Sequence, residues 1–311
     1  MKRFLLKCIA FLFCVITILT LTLNQWGGYI DYFYNKFTTP KASSLILGDS
    51  RSFQGLQPKV INEQLKDCNF KLPIFNYSFT IAQITYDSLY LSSIKRKLDT
   101  TKTNGLFVLS VHPYVLSERN GGTDFSDAPP HNMYFVDKNP NFEYLIRNLD
   151  YFHFRGVFRK SSKTHKDGWL EETNLPDNTR ILAEWKENQE NLYSKFSKEW
   201  MKSKDKLNSL EEIMCYLSQF GNVFLVRMPV DIEILNIENA YWPDFNACIE
   251  EISANNQIPY LDFSNVNNRY STYDGVHIDK FSGVDFAIDL CDSISQYVDN
   301  EEIVNLIGCA R

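Results

Sequence analysis

Two short blocks of this 311-residue chain hold side chains that could together do nucleophilic chemistry. The first is Gly48-Asp49-Ser50-Arg51-Ser52, directly after an apolar run. The second is Asp274-Gly275-Val276-His277, near the C-terminus. A serine hydroxyl is a poor nucleophile until a base takes its proton, and an imidazole is a better base when a carboxylate orients it. The Asp-x-x-His spacing lets Asp274 reach Nδ1–H of His277 and leaves Nε2 free for a serine. Each block alone has an ordinary reading, as a turn or a helix cap. Together they fit a Ser-His-Asp site, with Ser50 as nucleophile, His277 as base and Asp274 as orienting partner.

Two arginines raise a separate question. Arg51 adjoins the serine and could hold a carboxylate or an acyl oxygen, or lie solvated at the surface. Arg227 sits in or just past an apolar run, where its charge needs a partner or a wet cleft. Asp49, Asp274 or an anionic substrate group would each serve, as would a purely structural salt bridge. His131, His153 and His165 have no metal-ligand spacing, and no metal or cofactor is expected. Asp279 reads as solvated.

These residues need a scaffold, and the hydrophobic pattern supplies one. Ser44–Leu47 is a short apolar strand ended by Gly48. Pro58–Leu65 reads as a helix with proline in its first turn. Further strands are expected at Pro73–Tyr77, Gly105–Val111, Val223–Val230 and Ile258–Phe263. Helical spacing separates them over Ile84–Leu98, around Leu207–Leu217, Phe245–Ile252 and Val284–Ile294. Five short apolar strands alternating with helices predict a parallel sheet covered on both faces. Both blocks then follow strands, at the carboxyl edge where such sheets bind ligands. The stretch at about 117–203 breaks the rhythm. It is rich in Gly, Pro and aromatics, with helix expected near Arg180–Trp200, and reads as an insertion: a lid, a substrate platform or a surface elaboration.

The N-terminus is of another kind. Lys2, Arg3 and Lys7 precede and edge into an apolar run from Cys8 to Leu23, and counted from Phe4 it spans about 20 residues, roughly the length that crosses a bilayer. We read residues 1–24 as an uncleaved signal anchor, with a cleavable signal peptide as the alternative. Residues 25–43 read as a juxtamembrane linker and 44–300 as the α/β domain, outside the cytoplasmic membrane. The chain carries a net charge of −6 and no basic tract beyond its start, which argues against a nucleic-acid partner. Its 7 cysteines form neither a zinc pattern nor a disulfide framework. Cys215, Cys248 and Cys291 are expected as buried thiols in helices.

The two blocks resemble those of the SGNH hydrolases, also called GDSL-like. In that family a Gly-Asp-Ser block after the first strand carries the nucleophile, and an Asp-x-x-His block near the C-terminus carries the other two groups. The resemblance covers about residues 42–298, without the insertion. It implies a three-layer α/β/α fold with a five-stranded parallel sheet, and a serine esterase. Two further family blocks depart from the pattern. The second strand runs Phe75-Asn76-Tyr77-Ser78 without the usual glycine. The third ends Ser110-Val111-His112-Pro113 without the usual asparagine. Ser78 N–H and His112 are the substitutes this suggests for oxyanion donors, beside Ser50 itself. The departures, Arg51, Val226-Arg227-Met228-Pro229 and the anchor are similar to extracytoplasmic SGNH proteins that accompany multi-span membrane O-acyltransferases. That subgroup modifies cell-surface polysaccharides, which implies an acylated glycan as substrate. Two readings follow: an esterase or acyltransferase working through an acyl-serine, or a non-catalytic accessory protein that keeps the fold.

Overall fold

The computed structural model describes residues 1–81, 86–119, 132–148, 162–265 and 269–308. Five strands form one parallel sheet: β1 (Ser44–Leu47), β2 (Ile74–Asn76), β3 (Gly105–Ser110), β8 (Gly221–Arg227) and β9 (Tyr260–Asp262). Their order across the sheet is β2-β1-β3-β8-β9. Register is tight at the centre, where Leu45 pairs with Phe107 and Phe107 with Val223. Side chains alternate between faces with the two-residue strand period. Leu45, Leu47, Phe107, Leu109 and Leu225 join one buried cluster with Ile94, Leu210, Ile213 and Ile249. Ile46, Leu106, Val108, Phe224 and Val226 join another with Ile61, Phe286, Leu290 and Ile294. Helices therefore pack on both faces, which is why the strands read as continuous apolar runs rather than alternating ones.

The strand order reverses between β1 and β3. Chain leaving β1 turns one way across the sheet and chain leaving β3 the other, opening a crevice at their carboxyl ends. Ser50 follows β1 and His112 follows β3, so both border that crevice.

Helix boundaries differ from expectation by a few residues, because caps rather than hydrophobicity end them. Asp87 caps the helix Ser88–Lys97 and Asn178 caps Thr179–Glu199. The helix Ile232–Tyr241 has no counterpart among the expected elements. Its acidic and amide residues interrupt the apolar run that would have marked it.

The interruption at about 117–203 is rooted at both ends by one antiparallel ladder. In it β4 (Ser117–Arg119) pairs with β7 (Trp200–Lys202), Glu118 opposite Met201. Within it β5 (Ser162–Thr164) and β6 (Leu170–Glu172) form a hairpin. Tyr193, Phe196 and Trp200 pack with Tyr114, Ile234 and Val276, the last of these beside His277. His131, His153, Gly121-Gly122, Pro129-Pro130, Tyr151, Phe152 and Phe154 lie outside the described residues.

Two expectations are corrected. Residues 25–43 are packed rather than linker-like: Tyr34, Lys36 and Phe37 are buried. The Lys36 ammonium donates to the carbonyls of Asn76 and Gly168 at 2.6 and 2.8 Å and lies 3.9 Å from the Phe53 ring centre. Of the three helical thiols only Cys291 is buried, whereas Cys215 is exposed. The helix Lys2–Ile30 precedes all this. Its span is long and apolar enough to cross a membrane, with mean hydropathy 2.6.

Candidate active site

The turn that carries Ser50 begins where β1 ends. Gly48 has φ +145, in a region that side chains disfavour. A Cβ there would also lie 2.5 Å from Ser52 Oγ and 2.7 Å from Ser110 Cβ. Glycine thus lets the chain bend sharply under β3 before the helix Ser50–Gly55 starts. Asp49 caps that helix, its Oδ1 accepting from Arg51 N–H at 3.1 Å. Ser50 is the first helical residue, so its own N–H has no acceptor within the helix.

The second block folds into a tight loop closed by a bridge between Thr272 and Ile278. Asp274 accepts the N–H groups of Val276 and His277 on Oδ1, at 3.0 and 2.8 Å. Its Oδ2 lies 2.7 Å from His277 Nδ1 and takes a further bond from Gln189 at 3.3 Å. His277 Nε2 lies 2.8 Å from Ser50 Oγ. This network assigns the proton on Nδ1 to the Asp274 bond and leaves Nε2 as acceptor for the serine hydroxyl. The ring of Tyr273 stacks on the imidazole at 5.7 Å, fixing its plane. Burial pulls the His277 pKa down, but the adjacent Asp274 carboxylate outweighs it and the imidazole sits above its usual range. Burial likewise pushes Asp274 up, and the neighbouring His277 with the hydrogen bonds to Oδ1 and Oδ2 holds it below the usual carboxylate range. The three residues expected to act together are thus in one hydrogen-bonded series.

The other candidates are brought together elsewhere, in a buried charge network beneath the Ser50 turn. Arg51 Nη2 is 2.6 Å from Glu238 Oε1 and 3.2 Å from Tyr193 Oη. Arg227 Nη2 is 3.0 Å from Glu238 Oε2, and Nη1 donates to Asn246 at 2.7 Å. Both arginines are 1% exposed and Glu238 is fully buried. Both guanidiniums are thus paired with Glu238 out of contact with solvent, and the partner is neither Asp49 nor Asp274, while Arg51 Nε and Nη1 and Arg227 Nε have no hydrogen-bond partner among the described residues. This corrects the substrate-binding expectation for Arg51 and Arg227. Two buried positive charges cannot persist without a shared counter-ion.

Two of the three expected oxyanion donors, Ser78 N–H and His112, are committed elsewhere, and Ser50 N–H is not. Ser78 N–H donates to Asn76 Oδ1 at 3.1 Å, and its hydroxyl accepts from Ser52 Oγ at 2.9 Å. His112 Nε2 bonds Asp49 Oδ2 at 2.8 Å instead of facing Ser50. Burial and then the Arg51 charge hold the His112 imidazole below its usual range, so it stays neutral and donates Nε2–H to Asp49. Burial alone would raise Asp49. His112, hydrogen-bonded beside it, and then Arg51 hold it at about 2. With His112 neutral, Asp49 and Glu238 balance Arg51 and Arg227, so the network carries no net charge. The two residues flanking Ser50 in sequence are each gripped by a buried partner, Asp49 by His112 and Arg51 by Glu238.

Sequence reasoning missed Glu238, Tyr193 and Gln189. Glu238 alone left a trace, since it shares the Ile234-Leu235 face of a helix that is otherwise apolar there. His165, set aside as a metal ligand, bonds Glu171 at 2.8 Å. Among the described residues no group of three or more His, Cys, Asp and Glu side chains could hold a metal ion.

No protein-family model matches the chain, and no curated protein matches it.

Proposed function

We propose that this chain is a serine esterase or O-acyltransferase of the SGNH kind. In this reading its three-layer α/β/α domain is held outside the cytoplasmic membrane by the helix Lys2–Ile30. The observation that carries it is the series Asp274–His277–Ser50, with bonds of 2.7 and 2.8 Å at the carboxyl edge of a parallel sheet. Ser50 Oγ attacks the ester carbonyl carbon while its proton passes to His277 Nε2. The tetrahedral oxyanion meets the N–H of Ser50 itself. Collapse breaks the acyl–oxygen bond, and the departing alkoxide takes the proton back from His277. Water, or a sugar hydroxyl, then gives its proton to His277 and attacks the acyl-serine, regenerating Ser50. Asp274 holds the imidazole in the required tautomer and balances its charge while protonated. The resemblance noted above supports an acylated cell-surface polysaccharide as substrate and a multi-span membrane O-acyltransferase as partner.

A second reading, the non-catalytic accessory protein, is favoured by one observation: Ser78 N–H and His112 Nε2 are both committed elsewhere. A serine-reactive fluorophosphonate separates the two. With the full chain in nanodiscs, we expect an adduct on Ser50 that is abolished in Ser50→Ala. A folded wild-type protein that forms no adduct would overturn the enzymatic reading and leave the accessory one.

A further inference from the structure

The helix Lys2–Ile30 does not end in a tether. Its apolar window is uncovered by the rest of the chain, yet Leu23, Gly27 and Gly28 are buried. A Cβ on Gly28 would collide with the carbonyl of Thr164, and one at Gly27 would fall 2.5 Å from the Tyr34 ring. The helix end is therefore seated directly on the β5–β6 hairpin. Asn24 Oδ1 accepts from Asn139 at 2.9 Å, and Asn35 Nδ2 donates to Thr164 O at 2.7 Å. Ser162 and Thr164 hydroxyls bond Tyr32 at 2.8 and 2.7 Å.

The far side of the same hairpin holds the nucleophile. Trp169 Nε1 donates to Gln54 O at 2.7 Å, and Gln54 accepts from Tyr273 Oη. Glu171 meets Lys280 at 3.1 Å, three residues beyond His277. Lys36 closes the arrangement by binding β2, the hairpin turn and the Phe53 ring at once. Every step from the helix exit to Ser50 is a packed contact.

The seat also suits a membrane surface. A cavity of about 440 Å³ opens there, lined by Asn24, Gln25, Gly28, Lys163 and Lys166 among others. Neither lysine has a carboxylate partner among the described residues. Residues 24–28 follow about 20 apolar positions, so this polar lining falls at headgroup depth, where ammonium groups are favoured by anionic lipid.

Resting on the serine-esterase reading, we propose that the active site is mounted at a fixed height over the bilayer and acts on acyl esters carried by molecules themselves held in the membrane. A polymer strand far from the surface is not its substrate in this view. The rigid seat orients the site, and the fixed height limits its reach.

The test lifts the domain without disturbing the seat. An alanine-rich helical insert of ~18 residues between Leu21 and Thr22 preserves helical phase and raises the domain by about 27 Å. Wild type and the lifted variant, each full length in nanodiscs, are labelled with a soluble fluorophosphonate. They are also labelled with the same group attached to a phospholipid headgroup through a flexible spacer shorter than that lift. The soluble probe should label both at equal rates, and the lipid-borne probe should label the variant at least about tenfold more slowly. Equal labelling of both proteins by the lipid-borne probe, or none of the wild type by it, would overturn the proposal. Failure of the soluble probe on wild type would instead remove the serine-esterase reading, and this proposal with it.

Discussion

Glu238→Gln tests the account of the buried network most directly. The substitution keeps shape and volume but removes the one carboxylate shared by Arg51 at 2.6 Å and Arg227 at 3.0 Å. Asp49 would then be the only counter-charge for two buried guanidiniums. An amide also presents a donor where the network needs an acceptor. Removing one partner from a buried, hydrogen-bonded pair typically costs about 3–5 kcal/mol. For a domain of this size that corresponds to a fall of roughly 6–15 °C in Tm. Urea titration should show a lower midpoint at an unchanged slope. The pH dependence adds a sign. Burial pushes Glu238 up, but the Arg51 charge, with that of Arg227, holds it below the usual carboxylate range. Its stabilisation is therefore present above the unfolded value, near about 4.3, and fades as pH drops through the lower folded value. The gap between the two proteins should be widest at neutral pH and narrow in acid. Replacing Arg51, Arg227 and Glu238 by Met together with Asp49→Asn should recover most of the loss, because no unpaired charge then remains. A Glu238→Gln protein melting within about 1 kcal/mol of wild type at pH 7 would refute the reasoning.

Two further outcomes are expected. Turnover by the wild type should rise with pH as His277 loses its proton, with a midpoint above the usual imidazole value near about 6.5. Asp274→Asn should move that midpoint down, since the carboxylate outweighs burial in raising it, and stopped-flow assays on an activated ester would report both. Gly48→Ala should destabilise the fold by about 2 kcal/mol or more, read by thermal melting, because φ +145 and the contacts of 2.5 and 2.7 Å penalise any Cβ. Melting indistinguishable from wild type would show that the turn can relax.

Much of the scaffold was legible in one dimension. The five apolar runs became the five parallel strands, because strands covered on both faces must be apolar throughout, and that is a local property of sequence. Ser50 and the Asp274–His277 pair were legible for a similar reason. Asp-x-x-His spacing works within one loop, and a glycine before the serine reports a turn that no side chain tolerates. The helix Ile232–Tyr241 was not legible, and Glu238 went unnoticed with it. A carboxylate on an apolar face reads as an error of pattern until its partners are known.

What the amino-acid sequence by itself determined is the sheet, the apolar N-terminal span and the residue types at the Ser50 turn. These depend on near neighbours, on hydrophobic period and on backbone permissiveness. Only the tertiary structure decided where the charges went. Arg51 and Arg227 turned inward to Glu238, His112 to Asp49 and Ser78 to Asn76, because a buried ion or donor takes whichever partner the fold brings within about 3 Å. The same holds for residues 25–43, which read as a juxtamembrane linker from sequence. Lys36 lies buried there because the carbonyls of Asn76 and Gly168, remote in sequence, converge on its ammonium.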